Sequence, residues 1–211
     1  IKQPLAAIVN NANACNRMLA KQSLDMEELR EAIADIAQSA MRASEIVSHI
    51  RAFFNKTSQD RAQIDVNQII HEVLSLTVAE AERNRVSVQA ELGGELPPVL
   101  GVRVELQQVV LNLVMNGIES MTSVKGERKL QISSQQQEPG KLLVTVQDSG
   151  GGLDPQHAVH IFDSFFSTKP EGMGMGLAIS RSIVEAHGGQ LRLVPLPRQG
   201  ATFQFTLPAC A

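Results

Sequence analysis

Glu105, Gln108, Asn112, Asn116 and Glu119 recur at steps of three and four. At 3.6 residues per turn they fall on one narrow line of a helix running from Glu105 to Met121. Off that line nearly every residue is apolar: Leu106, Val109, Val110, Leu111, Leu113, Val114, Met115, Ile118 and Met121, with Gln107 and Ser120 as exceptions. A surface helix shows the reverse proportion. The pattern describes a buried helix that turns two amides and two carboxylates toward something polar, since buried polar groups need partners. Two readings are open here. Either the amides cap neighbouring loops, or the line is one wall of a site that holds a metal ion and phosphates.

Two glycine clusters bear on that choice. Asp148-Ser149-Gly150-Gly151-Gly152 follows directly on a strand pattern. Most such strings are turns, but a carboxylate held at a strand end can accept a hydrogen bond from the exocyclic amine of adenine. Glycines beside it let the backbone approach a base closely. Gly172-Met173-Gly174-Met175-Gly176-Leu177 stands just before a helix pattern. Missing side chains and the free donors of a helix N-terminus suit phosphate groups. The spacing is G-x-G-x-G with no preceding strand, so a dinucleotide fold is a poor alternative, and no Gly-Lys-Ser/Thr follows for a Walker motif. Between the clusters lies Ile161 to Lys169, with three Phe of which at least two read as local core. Thr168 and Lys169 sit at the tip of a long glycine-bounded loop, the kind that serves as a lid or is disordered. From there Lys169 reaches a terminal phosphate as a point charge, or is merely solvated.

The elements that must position these residues fall into two groups. Ile1, Leu5, Ile8, Ala12, Cys15 and Leu19 form a heptad seam. After a break at Lys21 to Asp25, where Ser23 or Asp25 caps the next helix, the pattern resumes. It runs through Leu29, Ile33, Ile36, Ala40, Ala43, Val47, Ile50 and Phe54, widened by Ala32, Ile46 and Phe53. The band is broader than one hairpin can bury, and two hairpins closing into a four-helix bundle would cover it. A homodimer is therefore expected; the alternative is a hairpin packed on its own second domain. Pro4 bends the first helix or marks its start. The polar stretch Asn55 to Asp65 reads as a linker. Boundaries follow: a hairpin over 1–57, a linker over 58–64 and a second domain over 65–211.

In the second domain, Asn67 to Glu82 is an amphipathic helix pattern and Val86 to Leu92 a strand. Lys129 to Gln135 and Lys141 to Gln147 are a strand pair joined at Glu138-Pro139-Gly140. Asp154-Pro155 starts a helix, and Leu177 to Ala186 is a helix stopped by His187-Gly188-Gly189. Gln190 to Val194 and Ala201 to Leu207 are the last strands. Helices mixed with antiparallel hairpins fit an α+β sandwich with the helices on one face.

The totals exclude several classes. The 211 residues carry a net charge of −3 and are 43% hydrophobic, without the basic excess of a nucleic-acid binder. No Trp or Tyr and only seven Phe are present, which argues against aromatic base stacking. No apolar run reaches the roughly 18 residues of a membrane span, so no direct membrane contact is expected and the cytosol is the default. Cys15 and Cys210 suggest no disulfide framework or metal site. A first residue other than Met marks an expected piece of a longer protein.

At this point a family can be seen. Asn112-Leu113-Val114-Met115-Asn116 resembles the N box of two-component sensor histidine kinases. Asp148-x-Gly150-x-Gly152 resembles their first glycine box. Phe162 to Lys169 resembles the F box, and Gly172-Met-Gly174-Met-Gly176-Leu177 the second glycine box. Ile1 to Leu5 looks like the tail of the phosphoacceptor H box. Arg42 to Val47 with Ile50-Arg51 is similar to the second dimerisation helix. The ordered blocks span nearly the whole chain. The resemblance implies a dimeric helical hairpin followed by a Bergerat-type, or GHKL, ATP-binding fold. It implies that Asn112 and Asn116 contact Mg²⁺ and the phosphates, with Asn116 the better metal ligand. It implies that Asp148 reads adenine beside Gly150 and Gly152. Thr168, Lys169 and the segment from Gly172 through Gly174 to Gly176 and Leu177 become the lid and phosphate cradle. The implied reaction moves the ATP γ-phosphoryl to a histidine, for relay to an aspartate of a response regulator.

The chain departs from the family in places. The phosphoacceptor His would stand just before Ile1, and His49, His71, His157, His160 and His187 lie in no such motif; the chain as it stands is expected to bind ATP without phosphorylating itself. His187 fits a helix stop. Gln3 occupies the position where relatives carry Thr or Asn to orient water for dephosphorylating the regulator. Val102 stands where many have Asp. A rival reading is a Bergerat-fold ATPase or clamp, which uses a catalytic Glu one turn before the metal-binding Asn. Here Asn112 holds that place, in favour of transfer over hydrolysis. A non-catalytic dimerisation scaffold is the third reading, opposed by the intact glycine boxes.

Overall fold

Leu142, Val144, Val146 and Asp148 alternate with residues that point the other way, so one strand presents three apolar side chains and then a carboxylate to the same face. That strand is the centre of a five-stranded sheet. The computed structural model describes residues 2–19, 26–30, 32–33, 35–36, 61–138, 140–168, 174–194 and 200–210. They divide between two units, Ile1–Ser58 and Gln59–Ala211.

The second unit runs β1 (Ala62–Ile64), α2 (Val66–Arg83), β2 (Ser87–Leu92), β3 (Val99–Gly101) and α3 (Arg103–Ser120). It continues through β4 (Lys129–Glu138), β5 (Lys141–Asp148), the single turn α4 (Pro155–Ala158), α5 (Gly176–Ala186), β6 (Gln190–Val194) and β7 (Thr202–Pro208). The sheet order is β2-β4-β5-β7-β6, with β2 parallel to β4 and every other pair antiparallel. Register sets the core. Ile132 faces Val146, Val144 faces Phe205 and Val146 faces Phe203, and all are buried. The helices α2, α3 and α5 pack side by side, with α3 against both of the others. The expected α+β sandwich is therefore observed. The strand pattern at Val99–Gly101 was not anticipated; three residues are too few to show a period.

The linker expected over residues 58–64 ends earlier. Ala62–Ile64 form β1, antiparallel to β3, and Ile64 is buried. One apolar residue in a polar stretch was enough to anchor a short strand. Asp65 then caps α2, its Oδ1 accepting from the N–H groups of Asn67 and Gln68 at 2.8 and 3.3 Å. At the far end of the layer Arg128 donates to the carbonyls of Asn84, Thr122 and Val124. One cation so closes the C-terminal ends of both α2 and α3, where the helix dipole favours positive charge.

The helix α3 is not wrapped on all sides as its composition implies. Leu106, Val109, Val110, Leu113, Val114 and Ile118 are buried, but Val104 is 70% exposed and Leu111 also reaches the surface. Gln107 donates to Glu72 of α2 at 2.7 Å. The helix lies in a layer, covered below by the sheet and on both flanks, and open above.

In the first unit α1 spans Lys2–Leu19. Cys15 is buried, Ile8 and Ala12 are half-buried, and Val9 and Leu19 are exposed. Residues 26–30 are helical, with Leu29 buried. The seam from Ala40 to Phe54 and the caps at Ser23 and Asp25 lie outside the described residues. No helix among the described residues is long and apolar enough to cross a membrane.

Val102 is the N-cap of α3 and makes no side-chain capping bond. An Asp there would meet free helix amides with Glu105 already at the third position. Val102→Asp is expected to stabilise the chain by about 1 kcal/mol, read as a higher urea midpoint at unchanged slope.

Candidate functional site

Asp148 ends β5 on the core-facing side of the sheet and is only 5% exposed. A carboxylate there is tolerable only with donors around it. Its Oδ1 accepts from the N–H of Gly150 at 2.8 Å and of Ala201 at 3.3 Å, and lies 3.0 Å from Ser120 Oγ. Ser120 Oγ is also 2.8 Å from the carbonyl of Gly117; with a single proton it serves one acceptor at a time. Strand β5, the loop after it, the end of α3 and the start of β7 thus meet on one oxygen, and the rotamer of Asp148 is held from three directions.

Close backbone approach makes this possible. A Cβ on Gly150 would stand 2.3 Å from Ser120 Oγ and 2.7 Å from Asp148 Oδ1. One on Gly200, whose φ is +114°, would stand 2.2 Å from the Asp148 carbonyl oxygen. Gly152 packs beside Gly200. The first glycine cluster therefore surrounds the carboxylate, and Gly200 joins it from a distant part of the chain.

Two turns back along α3, Asn112 Nδ2 donates to the carbonyl of Gly176 and to Ser180 Oγ, both at 3.3 Å. These partners belong to α5, so the second glycine cluster is brought against α3. The amide nitrogen being committed to α5, the Asn112 oxygen is turned from it. Asn116 is half-buried, and its side chain has no hydrogen-bond partner among the described residues. Met175, the N-cap of α5, offers no side-chain cap, and the first turn has no acidic residue. Its leading amides keep the field that attracts anions. From Asn112 to Ser120 is about 12 Å along the helix axis, so α3 carries a polar amide pair at one place and contacts a buried carboxylate at another.

The rest of the line behaves differently. Glu105 Oε2 lies 3.9 Å from His187 Nε2, and Glu119 is exposed. Helical spacing put two carboxylates in line with the amides; the first stands near the C-terminal end of α5, and the second is exposed near the C-terminal end of α3. Thr168 is exposed and Leu177 is packed against the core. Lys169 and Gly172 lie outside the described residues, and Gln3 belongs to α1 in the first unit. Gly174, at φ +64°, would place a Cβ 2.4 Å from the Phe166 carbonyl oxygen, and its own carbonyl accepts from Phe165 N–H at 3.0 Å. That contact pins Gly174 against the backbone of Phe165 and Phe166. Phe162 packs edge-on to Phe203, and Phe166 lies near His157 and His160, as expected of local core. Phe165 is 78% exposed.

Ser120, Ser180, Gly200 and Ala201 were missed by sequence reasoning. Ser120 had a visible signal: it follows Asn112 and Asn116 at a further step of four. The other three become partners only when α5 and β7 fold against the site.

Residues 101–211 match the family described as Histidine kinase-, DNA gyrase B-, and HSP90-like ATPase. The sensor histidine kinase TmoS of Ectopseudomonas mendocina is 35% identical over 99% of this chain and 22% of its own length. The sensor protein FixL of Bradyrhizobium diazoefficiens is 35% identical over 99% of this chain and 41% of its own. The chain thus spans well under half of these relatives. Among solved structures, the nucleotide-free catalytic domain of histidine kinase ThkA is 31% identical, with a TM-score of 0.63 over 72% of this chain and 97% of that domain. ThkA in complex with the response regulator TrrA is 27% identical, with a TM-score of 0.70 over 99% of this chain and 59% of that one.

Gly150→Ala is expected to destabilise the second unit by about 1–3 kcal/mol through overpacking. In a Ser120→Ala background, which removes the hydroxyl that the new methyl strikes, the penalty is expected to fall. Urea denaturation of the two single variants and the double variant measures that coupling.

Proposed function

This chain belongs to the Histidine kinase-, DNA gyrase B-, and HSP90-like ATPase family and carries the catalytic ATP-binding domain of a sensor histidine kinase; from that premise we propose that it binds Mg²⁺–ATP along α3 and donates the γ-phosphoryl group to a histidine. The observation that carries the reading is the double role of one helix. It meets the buried carboxylate Asp148 through Ser120 and the start of α5 through Asn112.

In this reading Asp148, its position set by Gly150, Ala201 and Ser120, accepts a hydrogen bond from the adenine amine. Gly152 leaves room beside the base. The phosphates lie toward the N-terminus of α5, where Gly174, Gly176 and Leu177 present backbone donors, with Gly172, Thr168 and Lys169 closing from the loop. The oxygens of Asn116 and Asn112 suit Mg²⁺, which takes few protein ligands and keeps phosphate and water oxygens for the rest. The bound ion would neutralise charge on the phosphates. Asn112 cannot act as a base toward water, in keeping with transfer. An imidazole nitrogen attacks the γ-phosphorus as the bond to the β–γ bridging oxygen breaks and ADP leaves. The acceptor His stands upstream of Ile1 in this proposal, and an aspartate of a response regulator receives the group next, as the complex of ThkA with TrrA suggests.

Residues 1–57 are proposed as the dimerisation hairpin, with Gln3 at the water-orienting position. The exposed Val9, Leu19, Met26 and Ile33 are apolar surface that a second copy would cover.

Calorimetry with a non-hydrolysable ATP analogue tests the binding step. The native chain is expected to bind with magnesium present, Asp148→Asn to lose affinity about tenfold or more, and Asn116→Ala to lose the dependence on magnesium. Flat heats from the native chain would refute the proposal. Labelled ATP with the chain extended upstream tests transfer: acid-labile, base-stable label on the protein is expected, and steady phosphate release without labelling points instead to an ATPase.

A further inference from the structure

The C-terminal end of α5 is held by a group that nucleotide chemistry does not use. His187 caps the helix, and its side chain is 2% exposed. Nδ1 lies 2.8 Å from the Ile183 carbonyl oxygen. A carbonyl only accepts, so Nδ1 carries the proton, and in the neutral ring Nε2 is left as an acceptor. The Val102 N–H donates to it at 3.0 Å. Val102 is the N-cap of α3. The imidazole therefore joins the last turn of one helix to the first residue of another. Glu105 Oε2, at 3.9 Å, is too far to be a hydrogen-bond acceptor in this state. Gly101 leaves the room: a Cβ there would stand 2.6 Å from Cδ2 of the ring and 2.9 Å from Nε2. Arg61 adds a second tie, donating to the Ala186 carbonyl at 2.7 Å.

The opposite end of α5 is the end that faces Asn112. The two helices run antiparallel, and the joints match in length. Val102 to Asn112 is about 15 Å along α3, and Gly176 to His187 about 16 Å along α5. Eleven residues make three turns, too short to bend much, so a displacement at His187 is carried to Gly176. The bonds from Asn112 to Gly176 and Ser180 are already long at 3.3 Å. A few tenths of an ångström more would take them past useful length.

We infer that His187 is a positioning residue for nucleotide binding: by tying the C-terminus of α5 to the N-cap of α3, it sets the distance from the N-terminus of α5 to Asn112 and Asn116. The inference rests on the proposed nucleotide site, but the geometry it asserts does not.

Three variants of the full chain test it: His187→Leu, which keeps bulk without the two bonds; His187→Gln, whose amide can donate to Ile183 and accept from Val102; and Gly101→Ala, which crowds the ring and leaves every bonding group in place. Two readouts are needed, the dissociation constant for a non-hydrolysable ATP analogue with magnesium and amide hydrogen exchange over residues 176–180 without nucleotide. His187→Leu is expected to weaken binding about tenfold and to speed exchange at those residues, with Gln restoring affinity to within about threefold and Gly101→Ala falling between. Native affinity and native exchange in His187→Leu would overturn the inference, as would a Gln variant no better than Leu, which would reduce the residue to packing. Should the Leu variant not fold, Gly101→Ala decides, and native behaviour there overturns it. Should the native chain bind no nucleotide, the proposed function falls, and the exchange measurement alone decides the positioning.

Discussion

A carboxylate at a core-facing position of a central strand has to be met by donors, and that requirement organises the second unit. Asp148 occupies the place where the alternation of β5 would put another Val. Its desolvation is offset because Gly150, Ala201 and Ser120 converge on one oxygen. Each donor comes from a different element. The carboxylate can be satisfied only when β5, β7 and the end of α3 are all in place, so a polar group ties together parts that apolar packing alone would leave free to slide. Such a group is costly if half-satisfied, and this one has its partners.

The same helix that supplies Ser120 also supplies Asn112, and α3 is therefore a shared wall. Its sheet-facing side is Leu106, Val110, Leu113 and similar residues at zero or near-zero exposure, which fixes its height above the sheet. Its lateral position is set by polar contacts instead: Gln107 with Glu72 on the α2 side, and Asn112 and the Val102 N–H on the α5 side. Apolar contact is non-directional, whereas hydrogen bonds have short, angle-dependent reach. The division suits a site, because burial supplies stability while a few directional contacts set where the functional groups stand.

Glycine is used for proximity more than for flexibility. At Gly150 and Gly101 the neighbouring side-chain atoms would lie within 3 Å of any added Cβ. At Gly200 a positive φ and close approach coincide. These residues let backbone and side chains interlock around Asp148 and His187 where any larger residue would hold them apart.

Much of this was legible in the chain. Helical steps of four disclosed Asn112 and Asn116, the strand pattern of Lys141 to Gln147 disclosed β5 with Asp148 at its end, and the two glycine strings marked where backbone comes near other groups; the side of the sheet on which Asp148 falls came from the structure. Those are local properties, dictated by residue type and by the repeat of the element that carries it. Other features were out of reach. Whether Glu105 stands with the amides or near His187 depends on where α5 lies, and α5 is some seventy residues away. The recruitment of Ala201, Gly200 and Ser180, the pairing of β1 with β3, and the exposed upper strip of α3 likewise follow from which elements become neighbours. Periodicity assigns a side chain to a face; only the packed layers decide what that face meets.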